Sequence, residues 1–182
     1  MQRLDPPDPS MYTDDQKRVA DAISGTRGSI GGPFGPWLHV PGFADPSQQV
    51  GAFLRYNSKI PGNLRELAIC TVGQYWQADY EWFVHAPLAV EEGVDDGAIE
   101  LLRKGDVPQP LSDQEQLVYE LTREIITTGK LSDASYGSGV ANFGNEIMIE
   151  LIGICGYYTL ISFTLNVFKV PLPEGESYPF YR

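Results

Sequence analysis

Residues 78–93 read ADYEWFVHAPLAVEEG, and this stretch decides the fold and locates the candidate site. We predict a helix over Ala78–Glu92 that ends at Gly93. On a helix, Glu81 and His85 are neighbours, because residues four positions apart lie on the same face. A carboxylate beside an imidazole orients the ring and raises its pKa, as a general acid or base near neutral pH requires. The pair therefore marks a candidate active site.

The same pair could be an ordinary surface ion pair, which would stabilise the helix by only about 0.3 kcal/mol. A solvated face is disfavoured by the aromatic residues around it, which are Tyr75, Trp76, Tyr80, Trp82 and Phe83. Pro87 cannot donate a hydrogen bond to the carbonyl of Phe83, so we predict a kink or a restart of the helix there. The second histidine, His39, lies in a loop sequence, WLHVP, and is interpreted as a surface or packing group.

The rest of the chain predicts an all-α protein of about seven to eight helices, because no strand pattern with period-two alternation is visible. Capping boxes begin two of these helices, at Thr13 with Gln16 and at Ser112 with Glu115. We expect a proline-first helix to begin at Asp45-Pro46. The predicted helices are Thr13–Ile23, Asp45–Asn57, Asn63–Trp76, Ala78–Glu92, Asp95–Lys104, Ser112–Thr128, a shorter one from Ser132, and an apolar one after Gly144.

A long Gly/Pro-rich passage, SGTRGSIGGPFGPWLHVPGFAD, occupies residues 24–45. Loops of this length in a compact domain are usually functional or disordered. This one contains large apolar residues, among them Phe34 and Trp37, and we expect it to pack across the domain. We therefore predict a single domain over residues 1–182, with residues 1–45 as an N-terminal helix plus a covering loop.

The net charge and the cysteine content limit which partners and which cellular compartment we expect. The formal net charge is −11 and the isoelectric point is about 4.5, which disfavours nucleic acid and membrane surfaces. Cys70 and Cys155 form no CxxC pair, and no Cys/His cluster has zinc spacing, so we predict buried, reduced thiols and no metal. The N-terminal sequence lacks the apolar stretch of a secretory signal, and we expect a cytoplasmic protein.

Leu151–Phe168 is an 18-residue segment without a formal charge, near the lower length limit of a membrane-spanning helix. Its glycines, threonines and serine, and the scarcity of flanking positive charge, disfavour a membrane helix. A helix that is apolar all round is also typical of the central helix of a bundle or of an oligomer interface. We favour the buried helix and expect no membrane span.

Two segments, LRELAI at residues 64–69 and EWFVHAPLA at residues 81–89, followed by Gly93, resemble the core motif of the carboxymuconolactone decarboxylase family. That family shares its fold with the alkylhydroperoxidase D-like proteins. The resemblance covers about Pro61 to Leu102 well and the apolar C-terminal helix more loosely. It implies an alkylhydroperoxidase D-like helical bundle that forms homo-oligomers, from dimers to hexamers.

The resemblance also implies site residues. Peroxidase members carry C-x-x-C-x-x-x-H, with a glutamate nineteen residues before the histidine. Here Glu66 and His85 match, whereas the cysteine positions hold Ala78 and Glu81. The decarboxylase branch also lacks the cysteines. It implies a cofactor-free reaction in which His85 donates a proton, held by Glu66 and Glu81, on a small unsaturated carboxylic acid or lactone.

Further residues are weaker candidates. Tyr80 could donate to a developing oxyanion or could be a packing aromatic. Phe34 and Trp37 could cap a pocket but are more readily explained as hydrophobic packing, and Trp82 and Cys70 could line it or belong to the core. No arginine is expected on the His85 face, because Arg65 is predicted to point elsewhere. A peroxiredoxin-like antioxidant protein, disfavoured by the missing CxxC, and a non-catalytic binding or assembly module are the alternative functions.

Overall fold

A computed structural model describes residues 2–180, and over that range the chain is all-helical, with no β-strand. A single 3-10 turn, Pro9–Met11, precedes the first α-helix. The α-helices are α1 (Asp14–Arg27), α2 (Phe34–Trp37), α3 (Pro41–Tyr56), α4 (Gly62–Tyr75), α5 (Asp79–Glu91), α6 (Asp96–Lys104), α7 (Asp113–Thr128) and α8 (Asp133–Phe168). Both the all-α class and the predicted number of helices are confirmed.

Local capping chemistry sets the starts of three helices, α1, α6 and α7. Both capping boxes form: the side chain of Thr13 accepts from the N–H of Gln16 at the start of α1, and that of Ser112 accepts from Glu115 at the start of α7. The side chain of Asp95 accepts from the backbone of Ala98 and begins α6. Each of these interactions joins residues three positions apart, and the sequence alone predicted the two capping boxes.

The start of α3 differs from the prediction. The helix begins at Pro41 rather than at Asp45-Pro46, and Pro46 lies inside it. Pro41 supplies the fixed φ of a first helical residue, and the carbonyl of Val40 accepts from Ala44 at 2.9 Å. Pro46 removes one internal hydrogen bond, to Gly42, and the remaining bonds of the helix outweigh that loss.

The predicted 22-residue loop is also much shorter than expected. Helix α1 continues to Arg27, α2 occupies four residues of the Gly/Pro-rich passage, and α3 begins before its end. The left-handed backbone of Gly28 (φ 78°) ends α1. The glycine and proline residues therefore separate short helices instead of forming one continuous loop.

The chain divides into two compact units, of which the first comprises Met1–Ser58 with Phe163–Pro171. Here α3 packs against α1 and α2. The indole of Trp37 donates to the hydroxyl of Thr164 at 3.0 Å, and the guanidinium of Arg27 lies 4.6 Å from the centre of the Phe34 ring. That residues 1–45 cover the rest of the chain, within a single domain, stays a prediction.

The second unit comprises Lys59–Ser162 with Leu172–Arg182. Its central element is α4, which packs against α5, α6 and α7 and is buried continuously from Glu66 to Gly73. A core cluster joins α4, α5 and α6 through residues that include Leu67, Cys70, Trp82, Ala89, Ile99 and Leu102. This unit contains all the residues of the histidine cluster described below.

Helix α8 is interrupted at Gly144, whose backbone (φ 76°, ψ 168°) is not helical. The predicted boundary between a shorter helix and an apolar one is therefore at the expected residue. By length and composition α8 could cross a membrane, but 56% of its apolar window is buried inside the protein. That degree of burial is typical of a core helix, as expected for Leu151–Phe168.

Candidate active site

The turn between α4 and α5 places their side chains against each other. Gln77 adopts a left-handed backbone (φ 51°), and the N–H of Ala78 donates to the carbonyl of Gly73 at 2.9 Å. A Cβ placed on Gly73 would lie 3.7 Å from the Cβ of Glu81. That is an ordinary van der Waals distance, so α5 packs directly against α4 at Gly73.

Three titratable side chains converge between these two helices. His85 Nδ1 lies 2.6 Å from Glu66 Oε2, and His85 Nε2 lies 3.0 Å from Glu81 Oε1. All three are buried, with 2%, 5% and 3% of Glu66, Glu81 and His85 exposed. The predicted cluster is therefore assembled, and both ring nitrogens of the histidine face carboxylates.

The two carboxylates favour the imidazolium form of His85. Burial alone would lower the pKa of this ring, but the charge of Glu81 and the hydrogen bonds to Glu66 and Glu81 raise it to about 9. Burial raises the pKa of Glu66, and the hydrogen bonds and charges of His85 and Arg65 outweigh this and lower it. At neutral pH a protonated His85 donates to both carboxylates.

Arg65 extends this cluster toward solvent, contrary to the prediction that it points to another side of α4. Its Nε lies 3.1 Å from Glu66 Oε1, and its terminal nitrogen lies 3.7 Å from Glu92 Oε1. The backbone directions of adjacent helical residues differ by about 100°, but the long arginine side chain turns back to its neighbour. A line of alternating charge therefore runs from the half-exposed Glu92 to the buried Glu81.

Tyr158 of α8 completes the wall of the cluster, and sequence reasoning did not identify it. Its ring packs edge-on against His85, with centroids 5.2 Å apart, and edge-on against Tyr157 at 5.5 Å. The available signal was the adjacent Tyr157-Tyr158 pair in the apolar part of the C-terminal helix. The pairing with His85, 73 positions away, depends on tertiary packing.

The other predicted site residues on α4 and α5 pack against neighbouring side chains. Tyr80 is half-buried with its ring 6.4 Å from that of Phe83. Trp82 packs against Phe180 at 5.3 Å, and Cys70 belongs to the same core cluster. Their roles in substrate binding or catalysis stay predictions.

A kink or a restart of the helix was predicted at Pro87. Helix α5 continues through Pro87 to Glu91, so the restart is wrong, and a kink stays a prediction. The carbonyl of Phe83 loses its usual partner, but the turns on both sides remain helical. Packing of α5 against α4 and α6 holds the segment in one helix.

Phe34, Trp37 and His39 belong to the first compact unit. Trp37 is buried in edge-on contact with Phe34 and Phe43, at 5.7 and 5.3 Å. His39 is exposed and its Nε2 lies 2.8 Å from the carbonyl oxygen of Asp5, in agreement with a surface role. A role for Phe34 and Trp37 in capping a substrate pocket stays a prediction.

Neither thiol is in the state that peroxide chemistry requires. Cys70 and Cys155 are both buried and unpaired in a disulfide. Burial and the charges of Glu66 and Glu81 raise the pKa of Cys70 well above its usual value, and burial raises that of Cys155 to about 12. Among residues 2–180, no group of three or more His, Cys, Asp or Glu side chains is arranged to hold a metal ion.

Two solved structures share this architecture over nearly the whole chain. The crystal structure of an uncharacterized peroxidase-related protein from Ralstonia eutropha JMP134, described as an alkylhydroperoxidase AhpD core, matches with a TM-score of 0.79 and 11% identity, covering 95% of this chain and 93% of that chain. An uncharacterized peroxidase-related protein from Silicibacter sp. TM1040 matches with a TM-score of 0.75 and 12% identity, covering 93% and 91%. The chain has the alkylhydroperoxidase D-like fold.

No protein-family model matches the sequence, and no curated protein is significantly similar to it. At 11% and 12% identity, the two structures establish the alkylhydroperoxidase D-like fold and not the reaction. The fold expected from the resemblance around residues 61–102 is confirmed.

Proposed function

We propose that this protein is a cofactor-free enzyme of the lyase or isomerase type, which transfers protons through Glu66, His85 and Glu81. Its substrate class is a small unsaturated carboxylic acid or lactone. The observation that supports this proposal is the buried imidazole with a carboxylate on each ring nitrogen, at 2.6 and 3.0 Å.

Energetics favour a functional role for the cluster. Transfer of ionised groups from water into a protein interior costs several kcal/mol per ion, roughly 3 or more, and a well-packed apolar set of the same volume is often as stable. Glu66, Glu81 and His85 are nevertheless all more than nine-tenths buried. Strongly perturbed titratable groups of this kind concentrate at functional sites.

The geometry supports a specific order of proton transfer. Because both nitrogens of His85 already donate to carboxylates, the ring has no third proton to give a substrate directly. A proton that leaves Nε2 passes to Glu81, whose carboxylic acid then becomes the donor to substrate. We therefore assign Glu81 the contact with substrate and His85 the role of recharging it, whereas the sequence suggested direct donation by His85.

In a decarboxylation, the bond between the substrate carbon and its carboxylate breaks, and the electron pair remains as an enolate or dienolate. Carbon dioxide leaves, and the proton from Glu81 bonds to that carbon. Glu81 is then a carboxylate again, and the neutral His85 ring takes up one proton from solvent, which restores the imidazolium. An isomerisation uses the same groups, with Glu81 removing a proton from one carbon and returning it to another.

The peroxiredoxin-like alternative is disfavoured by the thiols. Peroxide reduction requires an accessible thiolate, and both cysteines are buried with raised pKa values. The binding-module alternative predicts that Glu81 and His85 face solvent or pack without a cavity. These residues are buried, and that alternative is tested by the experiment below.

The experiment measures chemistry at carbon without a known substrate. A panel of β-keto acids, 2-enoic acids and unsaturated γ-lactones is incubated with the protein in D2O, and proton NMR follows deuterium incorporation and loss of the carboxylate. We expect turnover of at least one compound class. Glu81→Gln should reduce it by about 10²- to 10⁴-fold, the range for loss of a general acid or base.

Glu91→Gln is the matched control, because Glu91 is an exposed glutamate on the same helix. It should retain the rate of the unmodified protein. The proposal is overturned if the unmodified protein exchanges no compound faster than buffer does, or if Glu81→Gln retains full activity. Peroxide turnover that requires a thiol reductant and disappears in Cys70→Ser would establish the antioxidant alternative.

We also propose that the protein is a homo-oligomer. Helix α8 leaves Ile149, Ile152 and Leu160 exposed, at 69%, 54% and 36%. These residues follow helical spacing and form an apolar stripe, which is typical of an interface rather than of a solvated surface. Light scattering at micromolar concentration should give a mass above 20.2 kDa; a monomeric mass contradicts the proposal.

A further inference from the structure

A cleft of about 600 Å³ lies in the second unit, between α5, α6 and the segment that follows α8. This is the volume range of small-molecule sites, roughly 300 to 1,000 Å³. It is lined by Trp82, Phe83, Ala86, Pro87, Val90, Asp96, Ile99, Glu100, Glu176, Ser177 and Pro179. No residue of the histidine cluster is among them.

The cleft and the histidine cluster occupy different faces of α5. Trp82 and Ala86 line the cleft. Trp82 directly follows Glu81 in the sequence and Ala86 directly follows His85, and both Glu81 and His85 belong to the histidine cluster. Successive helical residues point about 100° apart. A ligand in the cleft would therefore contact the face of α5 adjacent to the one that carries the cluster.

The wall contributed by the C-terminal segment is held in place by specific contacts. Arg103 donates to the carbonyl of Pro179 at 2.6 Å, and the N–H of Phe180 donates to Asp79 at 3.2 Å. The ring of Phe180 packs edge-on against Trp82 at 5.3 Å. The cleft is thus formed before any ligand binds, which reduces the ordering cost of binding.

The lining has two chemical parts. Aromatic and aliphatic side chains, among them Trp82 and Phe83, form the apolar part. Carboxylates of Asp96, Glu100 and Glu176 form the charged part, and no basic side chain of residues 2–180 is among the lining residues. Glu100 is paired with Arg103 at 2.8 Å and with Lys104 at 3.2 Å. The attraction of the cleft for a cation therefore depends mainly on Asp96 and Glu176.

We propose that this cleft binds a small organic cation, a protonated amine attached to an aromatic or branched apolar group. The apolar part accepts the body of the ligand, and the carboxylates attract the ammonium group. An ammonium group near the faces of Trp82 or Phe83 gains a further cation–π attraction. This ligand is distinct from the substrate of the proposed reaction, because the carboxylates repel an anionic acid and a neutral lactone lacks the ammonium group that they attract.

The probe is 2-phenylethylamine, added to the uniformly ¹⁵N-labelled protein while the indole N–H resonances are followed by NMR. Of the three tryptophans, only Trp82 lines the cleft, and Trp82→Phe identifies its resonance. We expect a saturable shift of the Trp82 signal and none at Trp37 or Trp76. Neutral 2-phenylethanol and anionic phenylacetate carry the same ring and should bind more weakly.

Variants that remove single charges test whether these carboxylates attract the cation. Asp96→Asn and Glu176→Gln should each raise the dissociation constant of 2-phenylethylamine by about two- to fivefold, as for exposed charge pairs. Asp133→Asn is the matched control, because Asp133, like Asp96, is the first residue of its helix but does not line the cleft. It should leave the dissociation constant unchanged. Circular dichroism confirms that each variant is folded.

The proposal is overturned if no saturable Trp82 shift occurs, if 2-phenylethanol binds as tightly as the amine, or if both carboxylate variants bind like the unmodified protein. The result is independent of the proposed enzymatic function. If the protein binds the amine but turns over no compound of the panel, the cleft proposal stands and the proposed reaction is wrong. If the protein turns over a compound of the panel but does not bind the amine, the proposed reaction stands and the cleft proposal is wrong.

Discussion

Oε2 of Glu66 lies 2.6 Å from Nδ1 of His85, although the two residues are nineteen positions apart on different helices. Arg65 engages the other oxygen of the same carboxylate at 3.1 Å. Glu66 therefore balances two positive charges in a buried position. Its removal should affect both stability and the titration of His85.

Replacing Glu66 with Gln keeps the side-chain shape and removes its charge. We expect the free energy of unfolding to fall by about 3–5 kcal/mol, because one partner of a buried ion pair is lost. Urea unfolding measures the change. Glu92→Gln removes the exposed end of the same charge line and should cost no more than about 1 kcal/mol. Equal losses in the two variants would contradict the central position assigned to Glu66.

The stability of the protein should depend on the protonation of His85. Its pKa is raised from 6.5 to about 9, so the folded state binds this proton more tightly than the unfolded state. The resulting stabilisation is complete below pH 6.5, declines between pH 6.5 and 9, and is absent above that. Glu66, whose pKa is lowered, contributes stability above its usual pKa of 4.5 that is lost as the pH falls through its folded value.

Urea midpoints between pH 6 and pH 10 test this dependence on pH. His85→Asn should remove the alkaline decline that the unmodified protein shows. A direct measurement is NMR titration of the His85 ring. A His85 ring that titrates below pH 7 would contradict the predicted imidazolium.

The break in α8 should depend on glycine at position 144. Its backbone (φ 76°, ψ 168°) lies in a region that is essentially restricted to glycine. Gly144→Ala should therefore lower the free energy of unfolding by about 1–3 kcal/mol. Gly137→Ala is the control on the same helix, where a Cβ meets no atom within 4 Å. It should stabilise by about 0.5–1 kcal/mol, and a loss as large as that of Gly144→Ala would contradict the backbone explanation.

The two cysteines should be unreactive in the folded protein. Cys70 and Cys155 are buried, and their pKa values are raised by burial. Reaction with a disulfide reagent at pH 8 should be slower by about a hundredfold or more than in the unfolded chain, because thiolate and access are both lacking. Absorbance of the released thiolate measures the rate. Rapid reaction of either thiol in the native state would restore the antioxidant alternative.

Sequence patterns failed where one residue's preference competed with packing. The proline rules predicted a start at Asp45-Pro46 and a kink or restart at Pro87, yet Pro46 and Pro87 both lie inside continuous helices. Each proline costs a single hydrogen bond, whereas packing stabilises the whole helix. The position of the Arg65 side chain was also mispredicted, because its flexible chain reaches farther than its backbone direction indicates.

The sequence by itself determined the all-α class and the capping boxes that begin α1 and α7, and it singled out Glu66, Glu81 and His85 as candidate site residues. Caps and the Glu81–His85 pair act within four residues, and the match at Glu66 came from the spacing of a known motif. Tertiary structure alone decided that both nitrogens of His85 face carboxylates, that Arg65 engages Glu66, and that Tyr158 covers the ring. Those contacts join distant helices or depend on a side-chain rotamer, and burial gives them their effect on the pKa of His85.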